Sequence, residues 1–425
     1  MPIEKTDTLV VGGGQAGIAM SEHLSSHSVD HIVLEKKRIA EAWRTGRWDT
    51  MVANGPAWHD RFPNLKFEDS HPDAFVPKER MAQYLCDYAE MIDAPVRTGV
   101  EVLNAEKKPG EQGFLVDTSE GQIEAKRIVV ATGAFQVPVI PPVIPKEEDI
   151  VQLHSFHYHN SAQLPQGNVL VVGTGSSGVQ IADELRREGK EVYLSVSPHD
   201  RPPRRYRGRD NVWWLGVLGL WDAPSMAPGT ERFAICVSGA RGGETVDFRR
   251  LAKEGVNLFG MTQSYKEGVL KFAPDLAESI AEGDRGYLAF LDMADAYVER
   301  TGVDLPQEPE ARELLATPDS VTNPVSELNL AEAGITSVIW ATGFRQDFNW
   351  LKADTFEDSG KPIHQRGVAA EPGIYFLGLP WQSRRGSSFL WGIWHDAKYV
   401  GDQIAIQRAY GQYDGEAAKI TTAAR

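Results

Sequence analysis

The stretch that decides the fold is Thr8-Leu9-Val10-Val11-Gly12-Gly13-Gly14-Gln15-Ala16-Gly17. It opens with a short apolar run typical of a buried parallel strand, and a helical pattern extends from the glycines to about Ser26. A second strand pattern, 31–35, completes one βαβ unit. The G-x-G-x-x-G spacing allows a tight turn, a close approach of backbone to a pyrophosphate, and close packing of helix on strand. The unit therefore predicts a Rossmann-like dinucleotide site.

The second strand of this unit ends in an acid, Glu35. A carboxylate at that place accepts hydrogen bonds from both ribose hydroxyls and repels a 2′-phosphate. The pyrophosphate is expected at the helix N-terminus, where free N–H groups and the helix dipole favour anions. We therefore predict FAD or NAD, and not NADP, at this first site.

The same pattern recurs in the second half of the chain. A strand pattern at 168–172 precedes Gly173-Thr174-Gly175-Ser176-Ser177-Gly178, and the next strand ends at Ser197 without an acid. The run 198–209 then carries five arginines. Guanidinium groups suit phosphate oxygens, so we predict NADPH here, with its 2′-phosphate on Arg201, Arg204 or Arg205. The alternative interpretation is a solvated basic loop.

Two further strands end in the same tripeptide, Ala131-Thr132-Gly133 and Ala341-Thr342-Gly343. Each follows one of the two glycine turns, which indicates two Rossmann-like domains, one inserted into the other. We predict an α/β fold with a discontinuous FAD domain, 1–152 and 325–425. The NADPH domain would be 153–324, with a Trp-rich helical elaboration.

Composition narrows the function further. The chain of 425 residues has 44 Lys and Arg against 59 Asp and Glu, a net charge of −15. Such a surface disfavours nucleic acid and anionic membranes as partners. The two cysteines, Cys86 and Cys236, form no CxxC pair, and the histidines follow no common metal-ligand spacing. With a polar N-terminus and no apolar stretch of about 20 residues, we expect a cytoplasmic protein without a metal.

Several segments together resemble a known family. They are the two glycine turns, the two Ala-Thr-Gly strands, Trp43-Arg44…Arg47-Trp48-Asp49, Asn54-Gly55-Pro56 and Gly373-Ile374-Tyr375-Phe376-Leu377-Gly378. These resemble the class B flavin-dependent monooxygenases, including flavin-containing monooxygenases, plant YUCCA enzymes and bacterial relatives. The chain departs at Glu148 and Ile150, which replace a Phe and a Gly of the family motif, and at Pro198, where relatives tend to have Arg.

The resemblance implies an NADPH-dependent FAD monooxygenase that forms a C4a-hydroperoxyflavin and transfers one oxygen atom. The substrate would be a small apolar amine, sulfide or electron-rich aromatic such as an indole, with O2 as co-substrate and a homodimer as the assembly to consider. Asn54 matches the family's asparagine near the flavin and is the predicted catalytic residue; an ordinary Asn-Gly turn is the alternative. A flavin-dependent NAD(P)H oxidase or reductase without oxygenation, and a non-catalytic redox sensor, stay open.

The predicted cofactor-binding residues cluster in the two glycine turns, the strand ends and the segments that the resemblance adds. They are Gly12, Gly14, Gln15, Ala16, Gly17, Glu35, Trp43, Arg44, Thr132, Gly133, Gly173, Gly175, Ser176, Ser177, Gly178, Ser197, Arg201, Arg204, Arg205, Ala341, Thr342, Gly343 and Gly378.

Overall fold

The computed structural model describes residues 3–225 and 234–423. Its helices are α1 (Gln15–Ser26), α2 (Glu41–Thr45), α3 (Lys78–Met91), α4 (Ser176–Arg187), α5 (Asn211–Val217), α6 (Phe248–Lys253), α7 (Leu276–Thr301), α8 (Asp319–Thr322) and α9 (Leu390–Ala423). Its strands are β1 (Glu4–Val11), β2 (His31–Glu35), β3 (Val96–Thr98), β4 (Val102–Lys107), β5 (Phe114–Thr118), β6 (Gly121–Val130), β7 (Val137–Pro138), β8 (Val151–His154), β9 (Asn168–Val172), β10 (Val192–Ser195), β11 (His199–Asp200), β12 (Arg205–Tyr206), β13 (Arg209–Asp210), β14 (Ala234–Ile235), β15 (Val256–Phe259), β16 (Thr262–Lys266), β17 (Val269–Phe272), β18 (Glu327–Asn329), β19 (Ile335–Trp340), β20 (Phe344–Arg345), β21 (Leu351–Lys352), β22 (His364–Gln365), β23 (Val368–Ala369) and β24 (Ile374–Phe376).

The first sheet has ten strands, with the main order β21-β4-β5-β6-β1-β2-β3 and β24 beside β6. Its centre, β24-β6 and β6-β1-β2-β3, is parallel, whereas β4, β5 and β6 pair antiparallel. Val10, Val33 and Val129 of the parallel strands are fully buried, as a sheet covered on both faces requires. Helices α1 and α9 pack against each other over one face. The glycine turn after β1 therefore lies at the carboxyl edge of this sheet.

The second sheet is entirely parallel, in the order β15-β10-β9-β19-β8. It includes β19, which the sequence-based boundaries assigned to the outer FAD domain, and β8, which spans the proposed boundary at 152/153. The boundaries differ because strand order depends on pairing between residues far apart in the chain. Strand β19 pairs with β9 on one side and β8 on the other, and so stands beside the first strand of its unit as β6 stands beside β1 in the first sheet. The structure thus places 139–343 in the inner unit and 3–138 with 344–423 in the outer one.

The chain enters and leaves the inner unit at one place. Strands β7 and β20 form a two-stranded antiparallel ribbon in which Pro138 lies opposite Phe344 and Val137 opposite Arg345. The two units are thus joined covalently through a single ribbon.

Trp213, Trp214 and Trp221 of the inner unit belong to a separate apolar cluster. Trp214 is fully buried, its indole N–H donates to Tyr206 O at 2.9 Å, and its ring meets Tyr297 of α7 edge-on. Within the part of the chain that the structure describes, no helix is both long and apolar enough to cross a membrane.

Candidate functional site

The turn between β1 and α1 uses each glycine for a different steric reason. Gly12 has φ +114°, and a Cβ there would lie 2.5 Å from the carbonyl oxygen of Ala131. A Cβ on Gly17 would lie 1.9 Å from the Gly12 oxygen, whereas a Cβ on Gly14 would meet no atom within 4 Å. The backbone is therefore crowded behind the turn and open in front of the N-terminus of α1. This open cradle fits a pyrophosphate.

Glu35 stands beside this turn in a fixed position. One carboxylate oxygen accepts the N–H of Gly13 at 2.8 Å and the other accepts the N–H of Lys37, also at 2.8 Å. The side chain is half-buried, and each oxygen keeps a second lone pair for a hydroxyl donor. The arrangement fits a ribose and disfavours a 2′-phosphate.

The second glycine turn repeats the geometry of the first. Gly173 has φ +106°, and a Cβ there would lie 2.6 Å from the Ala341 oxygen; a Cβ on Gly178 would lie 1.9 Å from the Gly173 oxygen. Among the described residues, a Cβ on Gly175 would meet only Ala234, at 3.9 Å. Ala341 therefore serves the second turn as Ala131 serves the first, and a second open cradle faces the N-terminus of α4.

Other predicted residues lie around the two cradles. Ser176 donates to Ile235 O at 2.9 Å, and the hydroxyls of Ser197 and Thr174 are 2.8 Å apart beside the second turn. Thr342, in turn, donates to Val139 O at 2.5 Å. Ser177 lies in the first turn of α4, Gly343 has φ +81° and its oxygen contacts His154, and Gly133 has φ +78°.

Four more predicted residues of the outer unit lie at the first cradle. The amide of Gln15 donates to Ser388 O at 3.0 Å and accepts the indole N–H of Trp43 at 3.3 Å. Gly378 has φ +83°, and a Cβ there would lie 3.2 Å from the Cβ of Ala16. These contacts hold the start of α1 against the segment that leads into α9.

Arg44 is directed elsewhere. Its guanidinium contacts Cys86 Sγ at 3.2 Å on α3 and Ile39 O at 3.4 Å. These two contacts tie α2 to α3, and the binding of cofactor by Arg44 stays a prediction.

The predicted phosphate-binding arginines are mostly buried in ion pairs. Arg201 is 2% exposed and donates to Asp284 at 3.1 Å, and Arg249 donates to the same carboxylate at 2.6 Å. Burial raises the pKa of Asp284, but the hydrogen bonds from both arginines outweigh this and leave its pKa below the ordinary value. Arg204 is 3% exposed and ion-paired with Asp210. The prediction that Arg201 and Arg204 hold a 2′-phosphate is therefore corrected: carboxylates within the protein occupy their donors.

Arg205 differs from its two neighbours because it is exposed. Its guanidinium donates to the carbonyl oxygens of Gly242 at 2.8 Å and Gly243 at 3.1 Å. These acceptors are neutral, so the cationic charge of Arg205 stays uncompensated among the described residues.

Asn54 lies where the two units meet. Its side-chain oxygen accepts from Gln180 Nε2 of α4 at 3.0 Å, and its backbone oxygen accepts from Arg204 at 2.7 Å. Gln180 Nε2 also donates to Val237 O at 2.8 Å, which fixes that atom as nitrogen and hence the Asn54 atom facing it as oxygen. The Asn54 NH2 has no acceptor among the described residues. A fixed amide donor is thus presented at the contact between the units.

Two residues of this site carry roles that the sequence analysis did not assign. Gln180 gave no signal, because its partner Asn54 is more than a hundred positions away. Arg47 stood in the quoted segment, and its half-buried guanidinium lies 5.9 Å from the ring centre of Trp43 and 5.2 Å from that of Phe135. Burial lowers the pKa of Arg47 to about 10, and no carboxylate pairs with it among the described residues.

The chain is similar to known proteins over nearly its whole length. It is 34% identical over 404 residues to an uncharacterized CzcO-like oxidoreductase of Geobacillus kaustophilus, covering 94% of this chain and 98% of that protein. A probable indole-3-pyruvate monooxygenase of Arabidopsis thaliana, YUCCA4, is 24% identical over 94% of this chain and 90% of its own length. Residues 9–207 match the family described as pyridine nucleotide-disulphide oxidoreductase. The chain belongs to the CzcO-like oxidoreductases. Its similarity to YUCCA4 supports the predicted relation to the class B flavin-dependent monooxygenases.

A solved structure has the same fold. The flavin-containing monooxygenase of Stenotrophomonas maltophilia superposes with a TM-score of 0.65 at 19% identity, covering 95% of this chain and 99% of that one. The structure and this superposition confirm the predicted fold of two Rossmann-like units. The similarity to the CzcO-like protein confirms an oxidoreductase. The assignment of individual residues to each cofactor stays a prediction.

Proposed function

We propose that this flavoprotein is an NADPH-dependent monooxygenase that transfers one oxygen atom from O2 to a small nucleophilic substrate. Bound FAD would supply two-electron transfer and the activation of O2. The reaction balances when NADPH gives two electrons, one oxygen atom enters the substrate and the other leaves as water. The YUCCA relatives, named for indole-3-pyruvate, and the S. maltophilia flavin monooxygenase support this class of reaction.

One observation carries the proposal: Asn54 is held where the two units meet, and no described residue accepts a hydrogen bond from its NH2 group. Gln180 occupies the amide oxygen, and Arg204 holds the backbone of the same residue. A neutral amide donates a hydrogen bond to an oxygen atom at any ordinary pH, because it does not titrate. Asn54 would thus stabilise the oxygen to be transferred, and the contact between the units would limit the access of water.

The residues at each cradle would determine which cofactor binds there. Glu35 favours ribose hydroxyls at the first turn, and no acid ends β10 at the second. FAD is therefore assigned to the turn at Gly12–Gly17, and NADPH to the turn at Gly173–Gly178. The preference for NADPH over NADH would rest on Arg205 and the absent acid, because Arg201 and Arg204 are occupied.

The second candidate is a flavin-dependent reductase or oxidase. It is favoured by the match of residues 9–207 to the family described as pyridine nucleotide-disulphide oxidoreductase. A thiol relay is disfavoured, since Cys86 lies on α3 of the outer unit and Cys236 is fully buried in the inner one. Burial raises the pKa of Cys236 well above its ordinary value, which opposes a reactive thiolate.

The deciding experiment measures oxygen incorporation. Amines, sulfides and indoles are screened for substrate-stimulated NADPH oxidation under 18O2, with mass detection of products. We expect at least one class to gain a single 18O atom per NADPH consumed. NADPH oxidation that yields only hydrogen peroxide with every class would instead establish the oxidase.

A further inference from the structure

Arg47 has no carboxylate partner among the residues that the structure describes. Its guanidinium is half-buried, and its one hydrogen bond within the described part of the chain is donated from Nη1 to the neighbouring Gly46 oxygen at 2.7 Å. The acid closest in sequence, Asp49, lies 3.4 Å from Nζ of Lys78. A charge withdrawn from water is costly unless an opposite charge or several hydrogen bonds compensate it. The remaining N–H donors of Arg47 therefore indicate a negatively charged ligand.

Two aromatic rings hold this guanidinium in place. Its central carbon lies 5.9 Å from the ring centre of Trp43 and 5.2 Å from that of Phe135. Burial lowers the pKa of Arg47 to about 10, so its surroundings disfavour the charged form. The aromatic faces attract the cation, but less strongly than an anion does. Because charges interact more strongly away from water, an anion would be bound more tightly here than at an exposed arginine.

Both rings belong to segments that reach the first cradle. The indole N–H of Trp43 donates to the side-chain oxygen of Gln15, the first residue of α1, at 3.3 Å. Phe135 stands two positions after Gly133, just beyond the carboxyl end of β6, and β6 pairs with β1 in parallel. Arg47 is therefore held between two segments that flank the first glycine turn.

We propose that Arg47 binds the diphosphate of FAD and so complements the backbone N–H groups at the start of α1. A diphosphate is a multiply charged anion, and guanidinium groups bind phosphate oxygens through paired hydrogen bonds. Glu35 adds a negative charge of its own beside the turn, so a nearby cation would help to balance the bound cofactor. The inference rests on the proposed function, which assigns FAD to this turn.

Pairing with the phosphates differs measurably from pairing with the flavin ring. The ring gains negative charge when FAD is reduced, whereas the charge of the diphosphate does not change. If Arg47 faces the phosphates, loss of its charge weakens oxidised and reduced FAD equally, and the reduction potential of the bound cofactor stays the same. If Arg47 faces the ring, reduced FAD loses more affinity than oxidised FAD, and the potential falls by linkage.

The test is FAD titration of the apo protein, followed by flavin fluorescence, with melting curves in the absence of FAD. Arg47→Met removes the charge and keeps an unbranched apolar stem against Trp43 and Phe135. We expect it to weaken FAD by roughly ten- to a hundredfold, as the loss of charged hydrogen bonds predicts, and to leave the reduction potential of bound FAD unchanged. The apo variant should melt no lower than wild type, because the change removes a half-buried charge that no described residue compensates.

Two further variants serve as controls. Arg366→Met is the matched control, because Arg366 is exposed and also lies over an aromatic ring, that of Tyr399 at 3.9 Å; it should alter neither FAD affinity nor the potential. Arg47→Lys keeps the charge without the planar fork, and should restore part of the affinity that Arg47→Met loses. Arg47→Gln takes the place of Arg47→Met if the latter does not fold.

Three results would overturn the inference. FAD affinity equal to that of wild type in Arg47→Met would remove Arg47 from the FAD site, and weaker NADP+ binding to the same variant would then assign it to the second nucleotide. A lowered potential of bound FAD would assign Arg47 to the flavin ring. A lower Tm of the apo variant, with no recovery of FAD affinity in Arg47→Lys, would make its role structural. A wild-type protein that takes up no FAD would instead refute the flavin assignment of the proposed function.

Discussion

Replacing Gly14 by alanine tests whether the space in front of α1 holds the FAD pyrophosphate. Gly14 has φ −85° and ψ −168°, a conformation that alanine adopts freely, and its added methyl meets no protein atom within 4 Å. The apo protein should therefore lose no stability. Alanine reduces the entropy of the unfolded chain, a gain of about 0.4–1 kcal/mol, but it is a poorer N-cap for α1 than glycine, so Tm should change by no more than about 1 °C.

The same methyl occupies the cradle when FAD is bound. A methyl inserted into a well-packed contact costs about 1–3 kcal/mol, so the FAD dissociation constant should rise roughly five- to a hundredfold. The assay is FAD titration of the apo protein, followed by flavin fluorescence, alongside a melting curve without FAD. Gly175→Ala should leave FAD affinity unchanged and weaken NADPH by a similar factor, because Gly175 has φ −65° and comparable space.

Gly216→Ala is the control for an added methyl group outside the two cradles. A Cβ at Gly216 would also meet no atom within 4 Å, and the change should leave the affinities for both cofactors unaltered. If Gly14→Ala binds FAD as tightly as wild type, no phosphate lies in front of α1, and the assignment of the first cradle is wrong.

Three further results are expected. Asn54→Ala should keep FAD and its reduction by NADPH but raise the ratio of hydrogen peroxide formed to NADPH oxidised, since one lost hydrogen bond of about 1–3 kcal/mol favours peroxide release five- to a hundredfold; coupling as tight as in wild type would make Asn54 a turn residue. Arg201→Ala should lower Tm sharply, because removing one partner of a buried ion pair costs about 3–5 kcal/mol, whereas a KM change for NADPH at unaltered Tm would restore the phosphate-binding interpretation. Burial raises the pKa of Glu184, so the folded state holds its proton more tightly, and the stability that this group contributes is lost as pH rises above about 4.5. Glu184→Gln should remove that part of the decline in Tm above this pH, and Tm profiles identical to wild type would contradict the assignment.

The steric part of the site could be predicted from sequence. The roles of Gly12 and Gly17 follow from local backbone geometry, and the structure shows the crowding that the G-x-G-x-x-G spacing implies. The same holds for Gly173 and Gly178, because nothing distant is needed to define the turn.

The electrostatic part could not be predicted, because it depends on residues far apart in the chain. Asp284 on α7 forms an ion pair with Arg201, and no local pattern near the arginine run indicates that pairing. The prediction that β19 belongs to the outer unit was wrong for the same reason, because the neighbours of a strand are set by the whole sheet and not by the strand's own residues. The arginine run was therefore correctly identified as a cluster of positive charge, but its binding partner was predicted wrongly for Arg201, which pairs with Asp284.

The ribbon of β7 and β20 has a consequence for the covalent chain. Pro138 and Phe344 are opposed across the ribbon, and the N–H of Val139 donates to the Gly343 oxygen at 3.1 Å. If the gene were cut at these points and 139–343 removed, the new ends would already be cross-strand neighbours. A two-residue turn could rejoin them as an ordinary β-hairpin. The smaller protein would keep the first glycine turn, Glu35 and the packing of α1 on α9. The inner unit is therefore a domain inserted at a point where it can be deleted without separating the ends of the outer unit.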